Sequence, residues 1–149
     1  LVCPGKPAIN ILLKEDSMGT WGVKSFENDT ALDWAFELNS STNDEPIFEA
    51  IYDVLDTDDE YPDADICCCA VASAEVIAAF KGNSEYDLPD EIMSWLRNNT
   101  IHDMVKLTED TLIALEIVQK NSELKDLWLE SDDYEKWNQE IEDLIRRVS

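Results

Sequence analysis

The segment Ala64 to Phe80, ADICCCAVASAEVIAAF, is apolar nearly all the way round a helical wheel. A surface helix shows one apolar stripe, whereas a helix apolar on every side has to be enclosed by other elements. The segment therefore predicts a central helix over about Asp63 to Lys81, with Gly82 as its C-terminal stop. Its many Ala and Cys side chains are small, so neighbouring helices can approach closely. Ser73 and Glu75 interrupt it, and it falls short of the roughly 20 apolar residues a membrane span needs.

The flanking segments read as amphipathic helices that could supply the enclosure. One runs from about Asp29 to Leu38, with Ala31, Leu32, Trp34, Ala35, Phe36 and Leu38 on a wide apolar arc and Asn28 or Asp29 as its cap. Pro46 stands where an N1 proline belongs, ahead of Ile47, Phe48, Ile51, Tyr52 and Leu55. Pro89 opens another helix, with Ile92, Met93, Trp95 and Leu96 expected inward. Asn98 to Leu107 reads as irregular, and Thr108 as the cap of a helix whose stripe of Leu112, Leu115 and Val118 is joined by Ile113 and Ile117. Ser122 and Ser131 are expected to cap the last two helices, the final one with a seam of Tyr134, Trp137, Ile141, Leu144, Ile145 and Val148. No strand pattern and no internal repeat appears. The fold expected is all-α: a compact single-domain bundle of about six or seven helices around a small-residue centre.

Charge is the second constraint. Acidic residues number 34 against 11 basic, a formal net charge of -23. The excess is not a tail: residues 18–66 hold 14 acids and one base, Lys24. Such a surface repels nucleic acid and anionic membranes, and attracts a basic protein or cations. The plainer alternative is that acidity only confers solubility.

Metal and cofactor chemistry finds little to use. Cys67, Cys68 and Cys69 are consecutive, so on a helix they point about 100° apart and cannot converge on one metal. They read as reduced thiols acting as small apolar residues in a cytoplasmic protein. Asp56-x-Asp58-x-Glu60 begins like a calcium loop, but Tyr61 stands where the glycine belongs and Cys67 where the bidentate acid belongs, which excludes an EF-hand. His102 is the sole histidine, and no glycine-rich phosphate loop occurs. No metal, cofactor or catalytic residue is expected.

The chain begins at Leu1, and Met18 reads like a start lying inside it. Residues 1–17 are expected to be an upstream extension with little fold content, and 18–149 the acidic helical domain. Gly19-x-Trp21-Gly22, followed by Phe26-x-Asn28-Asp29 and an apolar helix, resembles the signature of the bacterial domain-of-unknown-function family 4259. The likeness continues through Ala74-Glu75-Val76-Ile77-Ala78-Ala79, Leu88-Pro89-Asp90-Glu91 with Trp95, Ser122-Glu123-Leu124 to Leu127-Trp128, and Ser131-Asp132 to Tyr134 and Trp137. That resemblance implies no activity and hands on no catalytic residue.

Candidate site residues come from the residues themselves. Gly19 and Gly22 flank Trp21, and glycine permits positive φ, so the backbone could fold tightly as the indole enters the core. Trp21 then reads as a plug closing the bundle, or alternatively as a stacking or peptide-binding surface. Glu75 is the sharpest single candidate, because a carboxylate on an apolar helix must be paired, protonated or facing a cavity. Its partner is expected to be a backbone donor near Trp21 or a base such as Arg97. The acid-rich stretch 44–65, with Asp53, Asp56, Asp58, Asp59, Glu60 and Asp63, reads as a docking patch. The leading functional expectation is a cytoplasmic, inhibitor- or immunity-like domain covering a cationic partner. The alternatives are an enzyme or hydrolase built near Glu75, and a structural or regulatory module.

Overall fold

The computed structural model describes residues 20–57, 61–84 and 87–149. Gly19, Asp58, Asp59, Glu60 and the expected extension 1–17 lie outside the described residues. Among the described residues seven helices follow in order: α1 (Asp29–Asn39), α2 (Glu45–Leu55), α3 (Ala64–Phe80), α4 (Asp90–Asn98), α5 (Met104–Lys120), α6 (Glu123–Leu129) and α7 (Tyr134–Val148). Among the described residues the only β pairing is an isolated antiparallel bridge between Thr20 and Asn28. The all-α expectation holds.

Twelve of the 17 residues of α3 are buried, which makes it the axis of the fold. It touches α1, α2, α5, α6 and α7. Asp63 caps its start by accepting the Ile66 N–H at 2.9 Å. Its end closes as the sequence predicts: Gly82 adopts φ 86°, and the Gly82 and Asn83 N–H groups return to Ala79 and Ala78 carbonyls. Ser73, fully enclosed, donates to the Ile47 carbonyl at 3.0 Å, so its hydroxyl ties α3 to α2 rather than standing unsatisfied.

The enclosing helices bury most of the residues their spacing indicates, with five departures, one of them Ile113 of α5, which is exposed. Phe36, placed on the apolar arc of α1, is 60% exposed, because the buried arc is the narrower set Ala31, Trp34, Ala35 and Leu38. Met93 likewise faces outward, leaving Ile92 and Trp95 as the inward pair of α4. Helix α5 begins at Met104, a turn before Thr108. Asp103 initiates it in the left-handed region at φ 52°, a conformation Asp tolerates, and its carbonyl accepts the Leu107 N–H. Ser131 holds the turn before α7 by accepting from the Asp133 N–H at 3.1 Å and donating to the Trp128 carbonyl, while the helix itself starts at Tyr134. Trp128 of α6 and Trp137 of α7 stack with centroids 6.4 Å apart and bring the C-terminal helices against α3.

Candidate functional site

Residues 20–28 form a tight loop against α3. The Thr20–Asn28 bridge and the bond from Trp21 N–H to the Glu27 carbonyl, 2.9 Å, close it. Asn28 then turns the chain into α1, its side-chain oxygen accepting the Ala31 N–H at 2.7 Å. Asp29 follows in the first turn of α1, where a carboxylate suits the helix dipole.

The loop uses its glycine differently from the sequence expectation. Gly22 has no positive φ. A Cβ there would meet Glu27 Oε1 at 1.9 Å, so the missing side chain makes room for a carboxylate that accepts the Lys24 N–H. Trp21 does not plug the core either. Val23 and Phe26 pack against the core, Ser25 is buried beneath the loop, and Trp21 is left half-buried at the edge.

Ser25 leads to Glu75, which is 0% exposed. Ser25 Oγ donates to Glu75 Oε1 at 2.7 Å. Arg147, near the end of α7, donates through Nη1 to Oε2 at 2.5 Å and through Nη2 to Oε1 at 3.3 Å. Arg147 Nε also reaches Asp143 Oδ2 at 2.8 Å, and Asn83 Nδ2 donates to the Arg147 carbonyl at 3.0 Å. One buried carboxylate thus joins the N-terminal loop, the central helix and the C-terminal helix.

Burial alone would lower the Arg147 pKa, but the bonds to Glu75 and Asp143 outweigh it and hold the pKa above its ordinary value. Burial would raise the Asp143 carboxyl, but the Arg147 contact prevails and holds it below the usual range. The base that pairs Glu75 is Arg147, not Arg97, and the donor near Trp21 is the Ser25 hydroxyl rather than a backbone group. Arg147 was readable in principle: it stands three residues after Leu144 and beside Val148, on the seam side of α7.

This arrangement suits bracing better than chemistry. The gap beside Ser25, between the loop and the Trp128–Trp137 pair, measures about 20 Å³, room for one water at most. A larger cleft of about 880 Å³ opens outside the loop, lined by Trp21, Phe26, Leu32 and Leu88 among others; it reaches Ser25 and not Glu75.

The acidic candidates fall on another part of the surface. Asp53, near the end of α2, and Asp56, just beyond it, are exposed, as is Asp63 at the start of α3. Burial first, then the charges of Asp65, Glu37, Asp53 and Asp63, push the Cys69 thiol up to about 12. The helices that carry these carboxylates pack together, and Thr30 of α1 donates to Asp65 Oδ1 at the start of α3 at 3.2 Å. No cluster of three or more metal-ligating side chains occurs among the described residues. No helix among them is long and apolar enough to cross a membrane.

A family described as Domain of unknown function (DUF4259) matches residues 19–140. No curated protein and no solved structure matches the chain. With well over half its length matched, the chain belongs to the DUF4259 family.

Proposed function

We propose that this family member is a cytoplasmic binding domain, inhibitor- or immunity-like, that covers a cationic surface of a protein partner. The observation that carries the reading is the exposed set Glu37, Asp53, Asp63 and Asp65, held on α1, α2 and the start of α3, which pack on one another. None of these four carboxylates takes part in an ion pair among the described residues. They come from three helices that the core holds rigid, so the face is pre-organised rather than assembled on binding. Nucleic acid and anionic membranes are repelled by the same charge.

Electrostatic steering then speeds the encounter and makes it salt-sensitive. A hydrolase centred on Glu75 finds less support: the carboxylate is enclosed and doubly engaged by Arg147 and Ser25. The test is affinity capture from the native host with wild-type protein and a Glu37→Gln/Asp53→Asn/Asp65→Asn variant as baits. A basic partner held by wild type, released by moderate salt and lost with the variant supports the reading. Acidic partners, or equal retention by both baits, contradict it. An inhibitor is also expected to be encoded beside the protein it blocks.

A further inference from the structure

We infer that the cleft beside Trp21 receives an arginine side chain of the partner. The inference rests on the reading that the partner is cationic, and it names a second contact away from the α1–α3 face. The cleft, about 880 Å³, lies in the size range of ligand sites. Its apolar walls are Trp21, Phe26, Leu32, Leu88 and Pro89.

Both sides are fixed by backbone structure. The Thr20–Asn28 bridge and the Trp21–Glu27 bond hold the aromatic side. On the other side, the Pro89 carbonyl accepts the Ile92 and Met93 N–H groups at 3.0 and 3.1 Å, anchoring the wall to α4. Trp21, partly buried like Val23 and Phe26, lines this cleft, whereas Val23 and Phe26 pack against the core.

Among the described residues, the charged groups at the cleft are Glu27, Asp87 and Lys24, two carboxylates against one ammonium, within a protein of net charge -23. Glu27 is oriented by the Lys24 N–H on its Oε1 at 3.1 Å. Aromatic surface beside carboxylates suits a guanidinium, which stacks on a ring face while its N–H groups reach an acid.

The test uses the full chain labelled with nitrogen-15 and the capped amino acid N-acetylarginine amide as probe. Five tryptophan indole N–H signals are available, and Trp21→Phe assigns the one that matters. The probe is expected to shift the Trp21 signal saturably, and Asp87→Asn is expected to weaken binding about fivefold or more. Asp87 is exposed, so that variant keeps the fold; Glu27→Gln is a second variant, its fold checked by retained signal dispersion. An unmoved Trp21 signal, an equal shift with N-acetylglutamate amide, or arginine binding indifferent to both variants overturns the inference. The outcome is separable from the proposed function: partner capture that survives Asp87→Asn but fails with the α1–α3 face variant leaves that function standing and removes the cleft.

Discussion

Arg147 closes on Glu75 at 2.5 Å with both side chains buried, and the pair ties the last turns of α7 to the middle of the central helix. Two charges withdrawn from water are stabilising together only while both remain. Replacing one partner strands the other; replacing both with apolar residues of similar size strands neither. Glu75→Leu or Arg147→Met is therefore expected to cost about 3–5 kcal/mol, whereas the two together recover most of that loss. Urea midpoints for the four proteins measure it. Additive losses in the double variant contradict the pairing.

Asn28 carries a separate share of stability through its bond to the Ala31 N–H. Asn28→Ala is expected to cost about 1 kcal/mol and to raise amide exchange in the first turn of α1 selectively. Exchange unchanged at Ala31 contradicts the cap.

Cys67 and Cys69 should be inert near neutral pH. Burial, as the largest cause, pushes Cys67 and Cys69 up to about 12 from 9.0. Both folded values lie above the unfolded one, so the folded state holds these protons more tightly. Their contribution is fully present below pH 9 and is lost as pH rises from about 9 toward about 12. Alkaline unfolding in that window, moved to higher pH by Cys67→Ala with Cys69→Ala, is the expected result. At pH 8 iodoacetamide should modify them at least about tenfold more slowly than a free thiol. Rapid labelling of Cys67 or Cys69 in the folded protein, read by peptide mapping apart from Cys3, contradicts the burial.

A net charge of -23 on one folded body is self-repulsive. The denaturation midpoint should rise as salt increases from low to moderate ionic strength, because screening weakens repulsion between exposed carboxylates. Flat midpoints indicate that local pairing has already neutralised it.

The sequence makes some of this legible and hides the rest for physical reasons. Helix α3 is readable because a helix apolar on every side has only one place to go, and Gly82 marks its end through the one backbone conformation glycine favours. Glu75 is readable as anomalous for the same reason. Its partner is harder to see, because a charged residue near a C-terminus defaults to solvent and only its register with Leu144 places Arg147 inside. Phe36 and Met93 show that an apolar residue at the edge of a helical arc is buried only where a neighbour covers it. Trp21 shows the converse: a large aromatic beside glycines suggests a plug, but Val23, Phe26 and Ser25 occupy the inward positions of the loop. The grouping of Glu37, Asp53 and Asp65 on helices that pack together is tertiary, so no reading of the stretch 44–65 alone could include Glu37.

The most direct test of the anionic-face account is calorimetric titration of the captured partner against wild type and the Glu37→Gln/Asp53→Asn/Asp65→Asn variant, at two salt concentrations. The account predicts that wild-type affinity falls about tenfold or more as salt rises, and that the variant binds weakly with little further loss. Equal affinity for both proteins, unchanged by salt, would contradict it.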